Sequence, residues 1–116
     1  ERLSVVNHRL IVAVCQMLNI TTTISWSSRY GAPSGRNERL VDLCVKAGAR
    51  EYLSGPSARG YIDEALFGRE GVTVQFADYS GYPEYAQPYP PFEHHVSVLD
   101  LLFCTGPDAP SYMKRL

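Results

Sequence analysis

"REYLSGPSARGYIDEALFGREGVTVQF", residues 50–76, contains the pattern that decides the fold. A short strand-like run at Glu51–Leu53 is followed by a turn of Ser, Gly and Pro. An amphipathic segment, a glycine and a second alternating run at Val72–Phe76 then complete the stretch. The pattern predicts two strands that flank one helix. Strands separated by a helix normally lie parallel in one sheet and are joined by a right-handed crossover.

The helix between these two strands could begin at either of two positions. Pro56 suits a first helical turn, where its missing N–H costs nothing. Gly60 weakens a helix that begins there by about 1 kcal/mol, so a start near Tyr61 is the alternative. In either case Gly71 ends the helix. The predicted buried face consists of Ala58, Ile62, Ala65 and Leu66.

Apolar periodicity extends the same alternation along the chain. It predicts helices at Leu3–Leu18, Asn37–Ala47 and Val96–Phe103, a strand at Ile20–Trp26, and loops at Ser28–Gly35 and Asp78–Phe92. The predicted fold class is therefore α/β, with a parallel sheet flanked by helices in a Rossmann-like three-layer arrangement. Because three parallel strands leave unprotected edges, we expect residues 1–116 to be a single domain portion of something larger. A chain that begins with Glu1 favours the same interpretation.

Composition excludes several classes of function. The 116 residues include 11 basic and 12 acidic side chains, a net charge of −1. Nucleic-acid binding, which needs a basic excess, is therefore not expected. No apolar run approaches the roughly 20 residues that span a bilayer. Three cysteines without a CxxC pair indicate small apolar residues of a cytoplasmic protein, with a reactive thiol at Cys104 as the alternative.

Ligands of open α/β sheets bind beyond the carboxyl ends of the strands. The turn Ser54-Gly55-Pro56-Ser57 lies at this end, where hydroxyls and free N–H groups suit a phosphate or carboxylate. Arg29 or Arg59 could supply positive charge. The alternative is that the turn only caps a helix. Asn37-Glu38-Arg39 opens the second helix from the same end, either as a ligand contact or as a solvated cap.

The last third of the chain holds further candidates. Asp100 interrupts an apolar helix, so it needs a hydrogen-bonding partner or a functional role. The tyrosine-rich loop could stack on a sugar or base, or cover the core. His94 and His95 are adjacent and have no evident third ligand, so no metal site is predicted, and a general base is the alternative. The sequence identifies no cofactor.

Several of these motifs together resemble the WbqC-like family. The resemblance covers most of residues 19–108. The matching pieces are Asn37-Glu38-Arg39-Leu40, Tyr52-Leu53-Ser54-Gly55-Pro56, Tyr61 with Asp63, Tyr82-Pro83 with Tyr85 and Gln87, and Asp100-Leu101-Leu102-Phe103 before Gly106-Pro107. Cys104 stands where the family usually has Asn, and the family's His-Gln-Pro motif is not found. The resemblance implies that the chain is the C-terminal half of a WbqC-like domain.

What the resemblance implies for function is a bacterial transferase of O-antigen or other surface-polysaccharide biosynthesis. Its reaction would move glycine or another amino-acid group to a sugar or nucleotide-sugar. In that interpretation the Ser54–Ser57 turn binds an anion, Tyr82, Tyr85 and Gln87 line the acceptor site, and Asp100 is the catalytic residue that orients a polar group. The alternative is a non-catalytic binding or scaffold module of a polysaccharide-assembly complex. A flat surface at the carboxyl ends of the strands and an exposed apolar patch would support this alternative.

Overall fold

The computed structural model describes residues 2–31 and 34–114. Glu1 lies outside the described residues, and so does Pro33 in the predicted Ser28–Gly35 loop. The α-helices are α1 (Leu3–Met17), α2 (Asn37–Lys46), α3 (Glu64–Arg69) and α4 (Val98–Thr105), and the strands are β1 (Glu51–Ser54) and β2 (Thr73–Phe76). Short 3₁₀ helices occupy Ser27–Tyr30, Pro56–Gly60 and Gly106–Tyr112. The chain divides into two compact units, one of Ile24–Tyr79 and one of Glu1–Thr23 with Ser80–Leu116.

The Ile24–Tyr79 unit contains the predicted parallel strand pair. β1 pairs with β2 in parallel, and Glu51 lies opposite Thr73. Backbone bonds of 2.8 Å from Thr73 N to Arg50 O and from Ala77 N to Ser54 O close the two ends of the ladder. The strands predicted from residues 50–76, and their parallel direction, are therefore confirmed.

The core of this unit lies between α2, α3 and one face of the sheet. Its centre is Phe67, which is fully buried and stacks on the Tyr52 ring at a centroid distance of 5.1 Å. Val41, Cys44 and Val72 complete the buried cluster. The predicted buried face of the crossover helix missed Phe67, and it included Ala65, which is exposed. The opposite face of the sheet, at alternate strand positions, is exposed.

The predicted strand at Ile20–Trp26 is wrong, because these residues form no regular element. β-branched residues favour strands only where a pleated surface can pack against neighbours. Here Ile20 and Ile24 are 40% and 39% exposed, and the described sheet has two strands, β1 and β2. The protein is thus a mixed helix and strand structure with a small parallel sheet, and the three-layer, Rossmann-like arrangement stays a prediction.

The crossover between the strands is split into two helices. A 3₁₀ helix at Pro56–Gly60 follows β1, and α3 begins only at Glu64. The side chain of Asp63 caps α3 by accepting a 3.1 Å bond from the Leu66 N–H. The Ser-Gly-Pro-Ser turn therefore does not open an α-helix, and the later of the two predicted starts is the closer one.

The other unit consists of α1, the tyrosine-rich loop, α4 and the last 3₁₀ helix. α4 begins at Val98, two residues later than predicted, because the Ser97 side chain accepts the Leu99 N–H and caps the helix there. Leu101, together with Leu18 and Ala109, forms the buried cluster. Leu99 (49% exposed) and Phe103 (86%) of α4, and Val96 (39%) just before it, are exposed.

Candidate functional site

The Asp100 carboxylate is the centre of a polar network in the unit that contains α4. Its Oδ2 atom accepts a 2.7 Å hydrogen bond from the Tyr85 hydroxyl and a 2.9 Å bond from the Gln87 amide nitrogen. Asp100 lies in the first turn of α4 and is half-buried. Both distances are within the usual range for hydrogen bonds, so the two donors hold the carboxylate in one orientation. The prediction that Asp100 has a hydrogen-bonding partner is therefore confirmed.

Gln87 also fixes the loop that covers this network. Its Nε2 donates to the Glu93 carbonyl at 3.1 Å, and its Oε1 accepts the Glu93 N–H at 2.8 Å. One amide therefore closes the segment of residues 87–93, which includes the cis peptide bond Pro90–Pro91. Because the same Nε2 bonds Asp100, the loop and α4 are joined through one side chain.

Tyr85 is held on both sides by other rings. Its ring meets Phe92 edge-on at 5.0 Å and Tyr112 at 5.7 Å. Burial, and then the hydrogen bond to Asp100, raise the pKa of Tyr85 to about 12. The phenol is therefore neutral at physiological pH, and its hydroxyl donates a hydrogen bond to the Asp100 carboxylate.

The Cys104 thiol lies one helical turn after Asp100 on α4. Desolvation by burial, and then the negative charge of Asp100, raise the pKa of Cys104. Thiolates are the nucleophilic form of cysteine, and a raised pKa keeps the thiol protonated. The alternative of a reactive Cys104 thiol is therefore not supported.

Other predicted residues of this unit have different surroundings. Tyr82 is half-buried, and the Lys114 ammonium lies 5.4 Å from its ring centroid. His94 Nε2 lies 3.6 Å from Glu84, and His95 Nδ1 lies 3.0 Å from Glu93. Among residues 2–31 and 34–114, no group of three or more His, Cys, Asp or Glu side chains could hold a metal ion.

The Ser54–Ser57 turn lies in the Ile24–Tyr79 unit, at the carboxyl end of β1. No side chain caps the 3₁₀ helix that follows it, within the described part of the chain. The capping alternative is thus not realised by Ser54 or Ser57. Gly55 permits a close approach, since a Cβ there would lie 3.3 Å from the Tyr79 hydroxyl.

The Asn37-Glu38-Arg39 segment opens α2 in the same unit. The Asn37 amide donates to the Tyr61 carbonyl at 3.0 Å and accepts the Asp63 N–H at 3.1 Å. The nitrogen and the oxygen of this amide therefore both bond the backbone just before α3. Glu38 and Arg39 are exposed.

Two open cavities of about 310 Å³ each lie in the Ile24–Tyr79 unit. One is bordered by Ser25, Tyr30, Cys44, Glu51, Tyr52 and Leu53, and the other by Glu38, Val41, Asp42, Val45, Leu66 and Glu70. Of the predicted site residues, Glu38 alone borders either of these two cavities.

The structure thus brings Tyr85, Gln87 and Asp100 into direct contact. The Ser54–Ser57 turn and the Asn37–Arg39 segment belong to the other unit. Sequence reasoning missed the main-chain partner of Gln87 at Glu93, because a side-chain amide that bonds backbone groups leaves no residue-type signal at its partner.

These features define the class of protein as a mixed α/β protein with a carboxylate-centred polar site. Residues 1–112 match the model of the WbqC-like protein family. The chain therefore belongs to the WbqC-like protein family, as its motifs predict. No helix within residues 2–31 and 34–114 combines the length and apolar character needed to cross a bilayer.

One curated relative is 46% identical over 112 residues, the uncharacterized protein Rv1507c of Mycobacterium tuberculosis (strain ATCC 25618 / H37Rv). The match covers 97% of this chain and 48% of that relative. The chain thus spans about half the length of the curated relative it matches. No solved structure matches the chain.

Proposed function

We propose that this protein acts in bacterial surface-polysaccharide biosynthesis, as part of a transferase that moves glycine or another amino-acid group to a sugar or nucleotide-sugar. Membership of the WbqC-like family, together with the resemblance set out above, supports a role in polysaccharide biosynthesis. The observation that carries the proposal is the network at Asp100, where a phenol and an amide meet one carboxylate oxygen.

The network has the chemistry that sugar hydroxyls need. An ionised carboxylate has about four lone-pair sites on its two oxygens. Tyr85 and Gln87 both bond Oδ2 of Asp100, so Oδ1 retains capacity for a hydroxyl or amine of the acceptor. In this proposal Asp100 accepts a hydrogen bond from the attacking group and orients it. Tyr82 offers a ring face on which a sugar would lie.

The donors around Asp100 define its role in this proposal. Two donors to Oδ2 hold the carboxylate in place, which suits an acceptor that orients the attacking group. The Cys104 thiol has a raised pKa, so the proposed chemistry uses no covalent intermediate on that side chain. The reaction would take place in the cytoplasm, which is in keeping with three free cysteine thiols.

A thermal-shift panel tests this proposal. It contains nucleotide-sugars, nucleoside phosphates, glycine and other amino acids, and it compares the protein with its Asp100→Asn and Tyr89→Phe variants. A ligand that binds only the folded state at 100 times its Kd stabilises it by about 2.7 kcal/mol. We expect a nucleotide-sugar to raise the Tm of the protein and of Tyr89→Phe, and to raise that of Asp100→Asn less. Equal shifts in all three proteins would exclude Asp100 from the site.

The exposed apolar faces of two helices favour a second candidate function, a binding or scaffold module of a polysaccharide-assembly complex. α1 has no buried residue, and Leu3, Leu10 and Ile11 are 74%, 61% and 52% exposed. Phe103 of α4 is 86% exposed. Large exposed apolar patches mark interaction sites. A folded protein that responds to no member of the panel would favour this second function.

A further inference from the structure

Two arginines of the Ile24–Tyr79 unit lie over aromatic rings. The guanidinium carbon of Arg59 is 4.2 Å from the centroid of the Phe76 ring, and that of Arg36 is 4.6 Å from the centroid of the Tyr61 ring. Within the described residues neither guanidinium has a carboxylate or carbonyl partner. Their N–H groups are therefore available to a ligand, while the ring contacts limit the motion of the side chains.

Both arginines are placed at the carboxyl end of the parallel strands. Arg59 lies in the 3₁₀ helix that directly follows β1, and Phe76 is the last residue of β2. Arg36 immediately precedes α2, whose first residue bonds the Tyr61 carbonyl. Gly60 alone separates Arg59 from Tyr61 in the sequence. Arg36 therefore lies over the ring of the residue two positions after Arg59.

The same end of the sheet carries neutral donors. Ser54 and Ser57 flank the turn, and in the described part of the chain neither hydroxyl caps the following helix. The Tyr79 hydroxyl lies against the turn at Gly55. The Asp63 carboxylate caps α3 through Oδ1, and within the described residues it forms no ion pair with either arginine.

We propose that this end of the sheet binds an oxyanion group, a phosphate or a carboxylate, through Arg59 and Arg36. A guanidinium presents a planar fork that matches either group with two parallel hydrogen bonds. Holding the fork against a ring lowers the ordering cost of binding. The inference deepens the proposed function, because it names the residues that hold the charged part of the substrate. The anion site depends on the proposed function only for the identity of the substrate that carries the oxyanion group.

Calorimetric titration at low ionic strength tests the site, with inorganic phosphate and glycine as separate probes and chloride as the background ion. The variants are Arg59→Ala, Arg59→Lys and Arg36→Ala. The matched control is Arg69→Ala, since Arg69 is exposed in the last turn of α3, at the other end of the crossover helix. We expect each alanine change at Arg59 or Arg36 to weaken binding about tenfold or more, because bonds to charged groups are strong. The lysine variant should retain only part of the affinity, and Arg69→Ala should leave it unchanged.

The probes also distinguish the source of the oxyanion. Binding of phosphate alone would assign the site to a phosphorylated substrate, and binding of glycine would assign it to an amino-acid carboxylate. Equal affinities in Arg59→Ala, Arg36→Ala and Arg69→Ala, or no binding of either probe, would overturn the inference. Arginine-dependent phosphate binding in a protein that binds no nucleotide-sugar would retain the anion site and refute the transferase. Nucleotide-sugar binding without arginine-dependent binding of phosphate or glycine would refute the anion site alone.

Discussion

Removing the Tyr85 hydroxyl gives the sharpest prediction for the polar network. In Tyr85→Phe the ring keeps its edge contacts with Phe92 and Tyr112, so no cavity forms. What is lost is one 2.7 Å hydrogen bond to a carboxylate. Bonds to charged groups contribute about 1.5–3 kcal/mol. Because Gln87 still donates to the same oxygen, we expect the lower end, about 1.5 kcal/mol of lost stability.

Urea unfolding followed by near-ultraviolet circular dichroism measures this loss. With a slope of about 1–3 kcal/mol per M, the midpoint should fall by roughly 0.5–1.5 M. Tyr89→Phe is the matched control, since Tyr89 is 85% exposed and its change should stay within about 0.5 kcal/mol. If the two variants have the same midpoint, the Tyr85 hydroxyl does not anchor Asp100, and the network has been misread.

Three further predictions concern ionisation, core and cap. In a tyrosine-selective carbon NMR titration, Asp100→Asn should lower the Tyr85 pKa from about 12 toward its ordinary value of 10.0, and an unchanged pKa would contradict the contact. Because the folded-state pKa is raised, the stabilisation by neutral Tyr85 is complete below pH 10.0 and is lost as the pH rises through about 12. Phe67→Ala should cost about 3–5 kcal/mol in denaturant unfolding, whereas Phe103→Ala, at an exposed position, should cost little. Asp63→Ala should cost about 1 kcal/mol by the same measurement, the effect of a lost helix cap, and no loss would show that the cap is unimportant.

The sequence predicts the parallel strand pair well because its signals are local. Alternation at β1 and β2 and a glycine after the helix all lie within residues 50–76. The strand at Ile20–Trp26 fails for the opposite reason. A β-branched run becomes a strand only where it finds a pairing edge, and composition does not report whether an edge is present.

The buried face of α4 is hard to predict from the sequence because the helix is apolar around most of its circumference. Periodicity then does not choose between the stripe of Leu101, which is buried, and that of Phe103, which is exposed. Asp100 was identifiable because a charge within an apolar run is unusual. The contacts of Gln87 with the Glu93 backbone, and of Arg59 with Phe76, depend on tertiary structure and leave no pattern in the sequence.

The most direct test of the central claim is a two-dimensional NMR spectrum that follows the Gln87 side-chain amide during titration with a nucleotide-sugar. This amide bonds both Asp100 and the Glu93 carbonyl, so a sugar held at the carboxylate must alter its environment. The account predicts a saturable shift of the Gln87 amide peaks that is lost in Asp100→Asn. A nucleotide-sugar that binds and leaves these peaks unmoved would contradict the account.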